Sequence, residues 1–311
     1  MVARRFAALS PSVQGSLLVL FAIFCLSTAP TIIRVGLNTD LDPLLLLTVR
    51  VWVAIVLMWL VVWWRPNIAR IDRHGLIHSA IAGVFNGASM VTFYTALTYL
   101  DVSILTMLIS LYPLFALILL ALRGEPFTRQ NIIRLAVALA GVYLLIGPGG
   151  DVSLVGVGIM MLTTLLFAFN ANWVQWQLRS YRPITVTLYT LSVAALVVTL
   201  IFTVISLSRG QTLSPLSPLG WGVIAYTAVV ATIVARFALF SGIQLIGSGQ
   251  ASLLSPVETL LSVTWASLFL GERLSWVQAL GGVLIIGSAL LAALWQQQAR
   301  RKNRLAAQSA D

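Results

Sequence analysis

Four ionisable side chains, Arg34, Arg50, Arg236 and Glu258, fall inside long apolar runs. A charge at the centre of such a run costs about 2.5–3.5 kcal/mol on the insertion scale, so each needs a partner, a path to the interface or a polar cavity. Arg34 lies within a few residues of its run's end and can reach the interface along its own stem. Arg50 follows Pro43 by seven residues, which sets it about 10 Å inside at 1.5 Å per residue. It either grips a carboxylate or phosphate with its planar fork or braces neighbouring helices through backbone carbonyls. Arg236 precedes Ser248 by 12 residues and Glu258 follows it by 10, so two helices meeting near Ser248 set them at nearly equal depth. They are expected to pair, either as a permanent ion pair or as one that opens while Glu258 carries a proton. Three arginines against one glutamate leave these runs at +2, which favours a ligand bearing negative charge, at least one carboxylate.

Uncharged polar groups add to this. In Phe169-Asn170-Ala171-Asn172-Trp173-Val174-Gln175-Trp176-Gln177, helical spacing puts Asn170, Trp173 and Gln177 on one stripe and Asn172, Gln175 and Trp176 on the next. Amides facing lipid are expensive, so one stripe faces a cavity or a neighbouring helix. Asn170 and Trp173 are the pocket candidates. Asn86 and Tyr94 lie eight apart on nearly one face and offer further donors.

The elements holding these groups are membrane helices. Of 311 residues, 59% are apolar and 9% charged, and the mean hydropathy is +0.97. A soluble domain runs near a quarter charged. Spans are expected near 14–36, 43–64, 77–98, 102–122, 131–147, 155–177, 184–207, 219–246, 250–270 and 276–296, each about 20 residues long as a bilayer requires. The net charge of +10 sits in short clusters between spans, which argues against nucleic-acid binding. Sorted by loop, fourteen basic residues fall on the side of the termini and two, Arg209 and Arg273, on the other. Short basic loops resist translocation, so both termini are expected in the cytoplasm. Trp63, Trp64, Trp221, Trp276 and Trp295 stand at span ends, where an indole buries its ring and hydrates its N–H. The single cysteine, Cys25, permits neither an internal disulfide nor a cysteine metal site.

Two stretches resemble each other about 146 residues apart. Phe93–Leu100 leads to Gly124-Glu125-Pro126-Phe127 and a helix with Gly141; Leu239–Ile246 leads to Gly271-Glu272-Arg273-Leu274 and a helix with Gly287. Five helices per copy is an odd number, so the second copy enters the membrane from the opposite side, as in alternating-access carriers. The fold expected is all-α integral membrane, ten transmembrane helices as two inverted five-helix repeats. Its parts are a cytoplasmic N-terminus (1–13), repeats over 14–147 and 148–296, and a basic cytoplasmic tail (297–311).

Asp42-Pro43 with Arg50, Ala96-Leu97-x-Tyr99, Pro113 leading to Gly124-Glu125, and Leu253-Leu254-Ser255-Pro256-Val257-Glu258 leading to Gly271-Glu272-Arg273-Leu274-Ser275 together resemble the drug/metabolite transporter superfamily, in particular proteins with tandem EamA-type domains. The resemblance runs from about residue 14 to 296. One departure is Thr259, where the family often has proline after the glutamate. The resemblance implies a ten-helix plasma-membrane carrier moving small metabolites, often outward. The expected function is therefore a secondary transporter exporting amino acids or organic acids, with a substrate site of Arg50, Asn86, Tyr94, Asn170, Trp173 and Arg236. Glu258 with Arg236 would serve coupling. A lipid or lipid-linked sugar flippase, or a membrane enzyme or receptor subunit without transport, are the alternatives. Expected partners are a small-molecule substrate and membrane lipid, with no nucleic acid, in a monomer or homodimer. No cofactor or metal is expected: His74 and His78 have metal-binding spacing but lack the adjacent glutamate of the zinc protease motif, and no phosphate loop or nucleophile elbow occurs.

Overall fold

Apolar runs without water must satisfy every backbone group internally, and the chain does so with helices. The computed structural model describes residues 10–39, 41–64, 66–124, 129–146, 152–209 and 217–291, and every regular element among them is helical. Both termini, the basic tail, Asp40, Glu125 and Asp151 lie outside the described residues. The first helix, α1 (Pro11–Leu37), starts at Ser10, whose hydroxyl accepts the Val13 N–H, and continues through Pro30. In α2 (Pro43–Trp64) the Asp42 carboxylate accepts the Leu44 and Leu45 N–H groups at 2.8 Å each. A short 3-10 turn, Pro66–Ile68, leads to α3 (Arg73–Ala96), capped by Asp72. These caps satisfy amide donors that no helical turn precedes.

The fourth apolar run is broken. It forms α4 (Val102–Ile109) and α5 (Tyr112–Leu122), parted at Ser110-Leu111 because Pro113 has no N–H to continue the ladder. Then come α6 (Arg129–Ile146), α7 (Leu154–Gln177), α8 (Pro183–Arg209) and α9 (Pro218–Ala228). A π-helical segment, Val229–Val234, joins α9 to α10 (Ala235–Leu270). Last is α11 (Trp276–Leu291). Eight of these apolar runs are long enough to cross a membrane, and Pro256–Leu270 and Trp276–Leu291 are shorter apolar helices.

Although helical backbone runs through the whole of α10, its contacts require a reversal. Tyr226 shares a hydroxyl bond of 2.8 Å with Thr28, and Gly242 packs on Gly15 and Val19, so this stretch runs antiparallel to α1. A straight continuation would carry Ser262 about 30 Å beyond Gly15. Instead the Ser262 hydroxyl donates to the Ser27 carbonyl at 3.1 Å, and Trp265 donates to the Ser27 hydroxyl at 3.0 Å. The chain therefore doubles back between Gly242 and Ser262, and both arms lie along α1.

Close packing uses small residues, as membrane helix pairs require. On α3, Gly83 and Gly87 meet Thr190, Val193, Ala194 and Val197 of α8, and Gly141 on α6 lies against Gly281 and Ile285 of α11. The φ of +69° at Gly271 ends α10, a left-handed position that glycine adopts without steric cost. Trp63, Trp64 and Trp276 stand 79%, 84% and 87% exposed at their helix ends.

Candidate functional site

A cavity of about 510 Å³ opens between α2, the start of α8 and the stretch from the π segment into α10. Its polar lining is Arg182, Thr187, Thr232, Arg236, Ser241 and Gln244; Met58, Ile184, Ile233 and Phe237 supply apolar wall. Among the described lining residues there is no carboxylate. The π segment is what builds one wall. Its widened turn lets the Thr232 hydroxyl donate to the Thr227 carbonyl five residues back at 2.9 Å. Such segments are rare and are frequently found at functional sites.

Arg50 sits behind Thr232. Its guanidinium donates to the Tyr94 hydroxyl at 2.7 Å and to the Thr232 hydroxyl at 3.2 Å, so it braces three helices through hydroxyls and not through the backbone carbonyls expected as one alternative. Tyr94 is 2% exposed. Arg50 also lies close enough to Arg236 for the two cations to repel. The site thus gathers Arg50, Tyr94 and Arg236 from the sequence-derived set.

The expected pairing of Arg236 with Glu258 is not made. Among the described residues neither joins an ion pair: the charge that Arg236 feels is Arg50, and Glu258 acts on Tyr112. Equal depth does not fix facing. After the reversal in α10, the arm with Glu258 lies against the α4–α5 break, where Ser110 and Thr259 share a hydroxyl bond of 2.7 Å. The other arm turns Arg236 toward α2.

Asn170 and Trp173 are half-buried elsewhere, between α3 and α7, and neither is among the residues lining this cavity. Trp173 stacks on Phe169 at 5.7 Å and lies 5.5 Å from the His78 ring, which is 4.2 Å from that of His74. Asn170 Oδ1, Trp173 Nε1 and His78 Nδ1 are buried with no hydrogen-bond partner. Asn86 is half-buried on α3, about two turns beyond His78. The adjacent stripe packs: Asn172 donates to the Ala116 carbonyl at 3.0 Å, and the Arg123 guanidinium stacks 4.2 Å from the Trp176 ring centre.

At the opposite end of the bundle from Arg182, the Glu272 carboxylate accepts the Val102 and Ser103 N–H groups at 2.8 Å each and the Ser103 hydroxyl at 2.6 Å. Burial, with repulsion from Glu272, raises the neighbouring Asp101 carboxyl above the usual range, while Arg34 pulls it down. Arg34, near the end of α1, donates to the Leu97 carbonyl just past the end of α3. At the Arg182 end, the Tyr181 hydroxyl donates to Asp72 at 2.6 Å. That bond and the Gly75 N–H hold Asp72 below the usual carboxylate range.

A bundle whose described elements are all helical, eight of them long and apolar enough to cross a membrane, has the form of a multipass membrane protein. Residues 13–147 and 154–294 each match the EamA-like transporter family, and the chain belongs to that family. It is 23% identical over 290 residues to an uncharacterized transporter of Bacillus subtilis (strain 168), YcbK, covering 90% of this chain and 93% of the relative. An uncharacterized transporter of Archaeoglobus fulgidus is 25% identical over 215 residues, covering 69% and 74%. A solved crystal structure 18% identical in sequence covers 92% of this chain and 98% of its own with a TM-score of 0.61, a likeness of fold. Family and relatives make the chain a transporter and not an enzyme.

Proposed function

We propose that this transporter exports small metabolites, such as amino acids or organic acids, across the plasma membrane by alternating access. Its ten helices form two inverted five-helix repeats, 14–147 and 148–296, with both termini cytoplasmic. The observation that carries this reading is the bond from Arg50 to Thr232, across 182 residues of sequence. It puts a half-buried charge where the halves meet, the usual seat of a substrate in carriers built from inverted repeats. Helix contacts support the repeat as well. In the first half α3 packs on α7 and α8; 146 residues on, α9 and the π segment pack on α1 and α2.

In this reading Arg50 and Arg236 read anionic groups, while Tyr94, Asn86, Asn170 and Trp173 complete the pocket as the halves rock. Glu258 carries the coupling proton. The test is flux of a pooled metabolite library through proteoliposomes holding the purified protein, with and without a pH gradient. Flux of a carboxylate-bearing solute, lost in Arg50→Ala and made indifferent to the gradient in Glu258→Gln, is the expected result. A folded, reconstituted protein that moves no solute overturns the reading.

A further inference from the structure

We infer that the cavity is a two-charge anion site, selecting solutes with two negative charges, a short dicarboxylate or a phosphate monoester, over zwitterions. The inference rests on the transport reading above and narrows its substrate class. The first ground is charge. Arg236 and Arg182 line the cavity, and Arg50 stands behind Thr232 within repelling distance of Arg236. Among the described residues the Arg50 fork is met by the neutral hydroxyls of Tyr94 and Thr232 and by no carboxylate. Like charges held together in a low dielectric raise the site's free energy until an anion enters.

The second ground is where the acids are. Glu258 lies beside Thr259 on the arm that meets the α4–α5 break, Glu272 is bound at the start of α4, and Asp42 and Asp72 cap α2 and α3. None is among the cavity's lining residues. The ammonium group of an amino acid would meet two guanidinium groups and no carboxylate, a mismatch that rejects it more strongly than a missing contact would. The third ground is spacing. Arg182 is at the exposed start of α8 and Arg236 lies within the bundle, with Ile184, Ile233 and Phe237 among the wall residues. A dicarboxylate, charged at both ends of a methylene spacer, matches that order end to end; a phosphate monoester, with both charges on one group, matches the pair of arginines without needing the spacer. A volume near 510 Å³ is within the common range for small-molecule sites, about 300–1,000 Å³.

The test uses the full-length protein in proteoliposomes and in a detergent binding assay. Labelled succinate and glycerol 3-phosphate are the two dianion probes; succinamate, alanine and inorganic phosphate compete. One dianion is expected to bind and move, with succinamate and alanine at least about tenfold weaker, the scale of one lost charge-assisted bond. Succinate alone identifies a dicarboxylate site, glycerol 3-phosphate alone a phosphate-ester site. Arg182→Gln, at the exposed rim where folding is least at risk, should reduce the preference over succinamate to about twofold or less; Arg236→Lys should weaken the dianion while keeping its lead over alanine. Preferred flux of alanine or of a cation overturns the two-charge site and leaves the transporter reading standing, as does a preference unchanged in Arg182→Gln. Absence of flux for every solute overturns both.

Discussion

Position 236 is arginine where the matched helix of the first half, 146 residues earlier, carries Met90; position 258 is glutamate where the first half carries Tyr112. Thr232, which anchors Arg50, matches Asn86. Around those first-half positions the structure gathers aromatics: Phe85 lies 4.2 Å from Phe169, and Trp173 bridges Phe169 and His78. Around the second-half positions it gathers cations and hydroxyls. Both halves match the EamA-like family, while the side chains at these matched positions differ in chemistry. Helix contacts depend on small residues and apolar faces, which a repeat can keep; Arg50 comes from the first half and Arg182 and Arg236 from the second, and the residues 146 positions away, Leu196, Gly36 and Met90, carry no charge.

The largest expected effect comes from removing that asymmetry. Arg236→Gln should lower flux of the transported anion by about 10- to 100-fold, the equivalent of losing hydrogen bonds to a charged group worth about 1.5–3 kcal/mol. Adding Met90→Arg to it should not restore flux, because the aromatic cluster offers that charge no hydroxyl partners. Restoration would mean that the halves are chemically interchangeable. Glu258→Gln and Tyr112→Phe sharpen the same contrast. The first should abolish response to a pH gradient in the liposome assay while exchange persists; the second should leave the response in place.

Packing is the shared part, so its disruption should be felt in folding. At Gly242 an added Cβ would lie 2.6 Å from the Val19 side chain and 2.8 Å from the Gly15 carbonyl. Gly242→Val should therefore cost about 1–3 kcal/mol, visible as a lowered melting temperature in detergent. Gly158 on α7 has nothing within 4 Å of such a Cβ. Gly158→Ala should be neutral or raise stability by less than about 1 kcal/mol through helix propensity.

Spans were legible because hydropathy is a direct imprint of the bilayer on the sequence; the α4–α5 break was not, since Pro30 and Pro256 lie inside continuous helices while Pro113 parts two. Arg50, Tyr94 and Arg236 were legible as candidates because charge and donors inside apolar runs have to be explained. The facing of Arg236 and Glu258 was not readable: rise per residue sets depth, but rotation across a chain reversal is free until packing fixes it. Nothing in Val229–Val234 marks a π segment, since the extra residue in its turn is dictated by neighbours and not by propensity. Arg182 counted only as a basic loop residue until the start of α8 was seen to border the cavity.

The smallest effects contrast the two ends of the bundle. Asp72, held below the usual carboxylate range by Tyr181 and Gly75, contributes stability above the unfolded value of about 3.9 and loses it as pH falls through its lowered folded value. Asp101 has the opposite sign. Its raised carboxyl costs stability once pH exceeds the folded value, and that cost disappears as pH falls below about 3.9. It starts α4 with no side-chain cap bond of its own, so replacing it sacrifices no bond. At pH 7, Asp72→Asn should therefore melt slightly below wild type and Asp101→Asn slightly above, and thermal scans toward pH 4 should first erase the Asp101 difference while the Asp72 difference persists. If both variants shift the same way at pH 7, the two ends share one electrostatic environment, and the contrast between the Tyr181-bonded end and the end crowded by Glu272 is wrong.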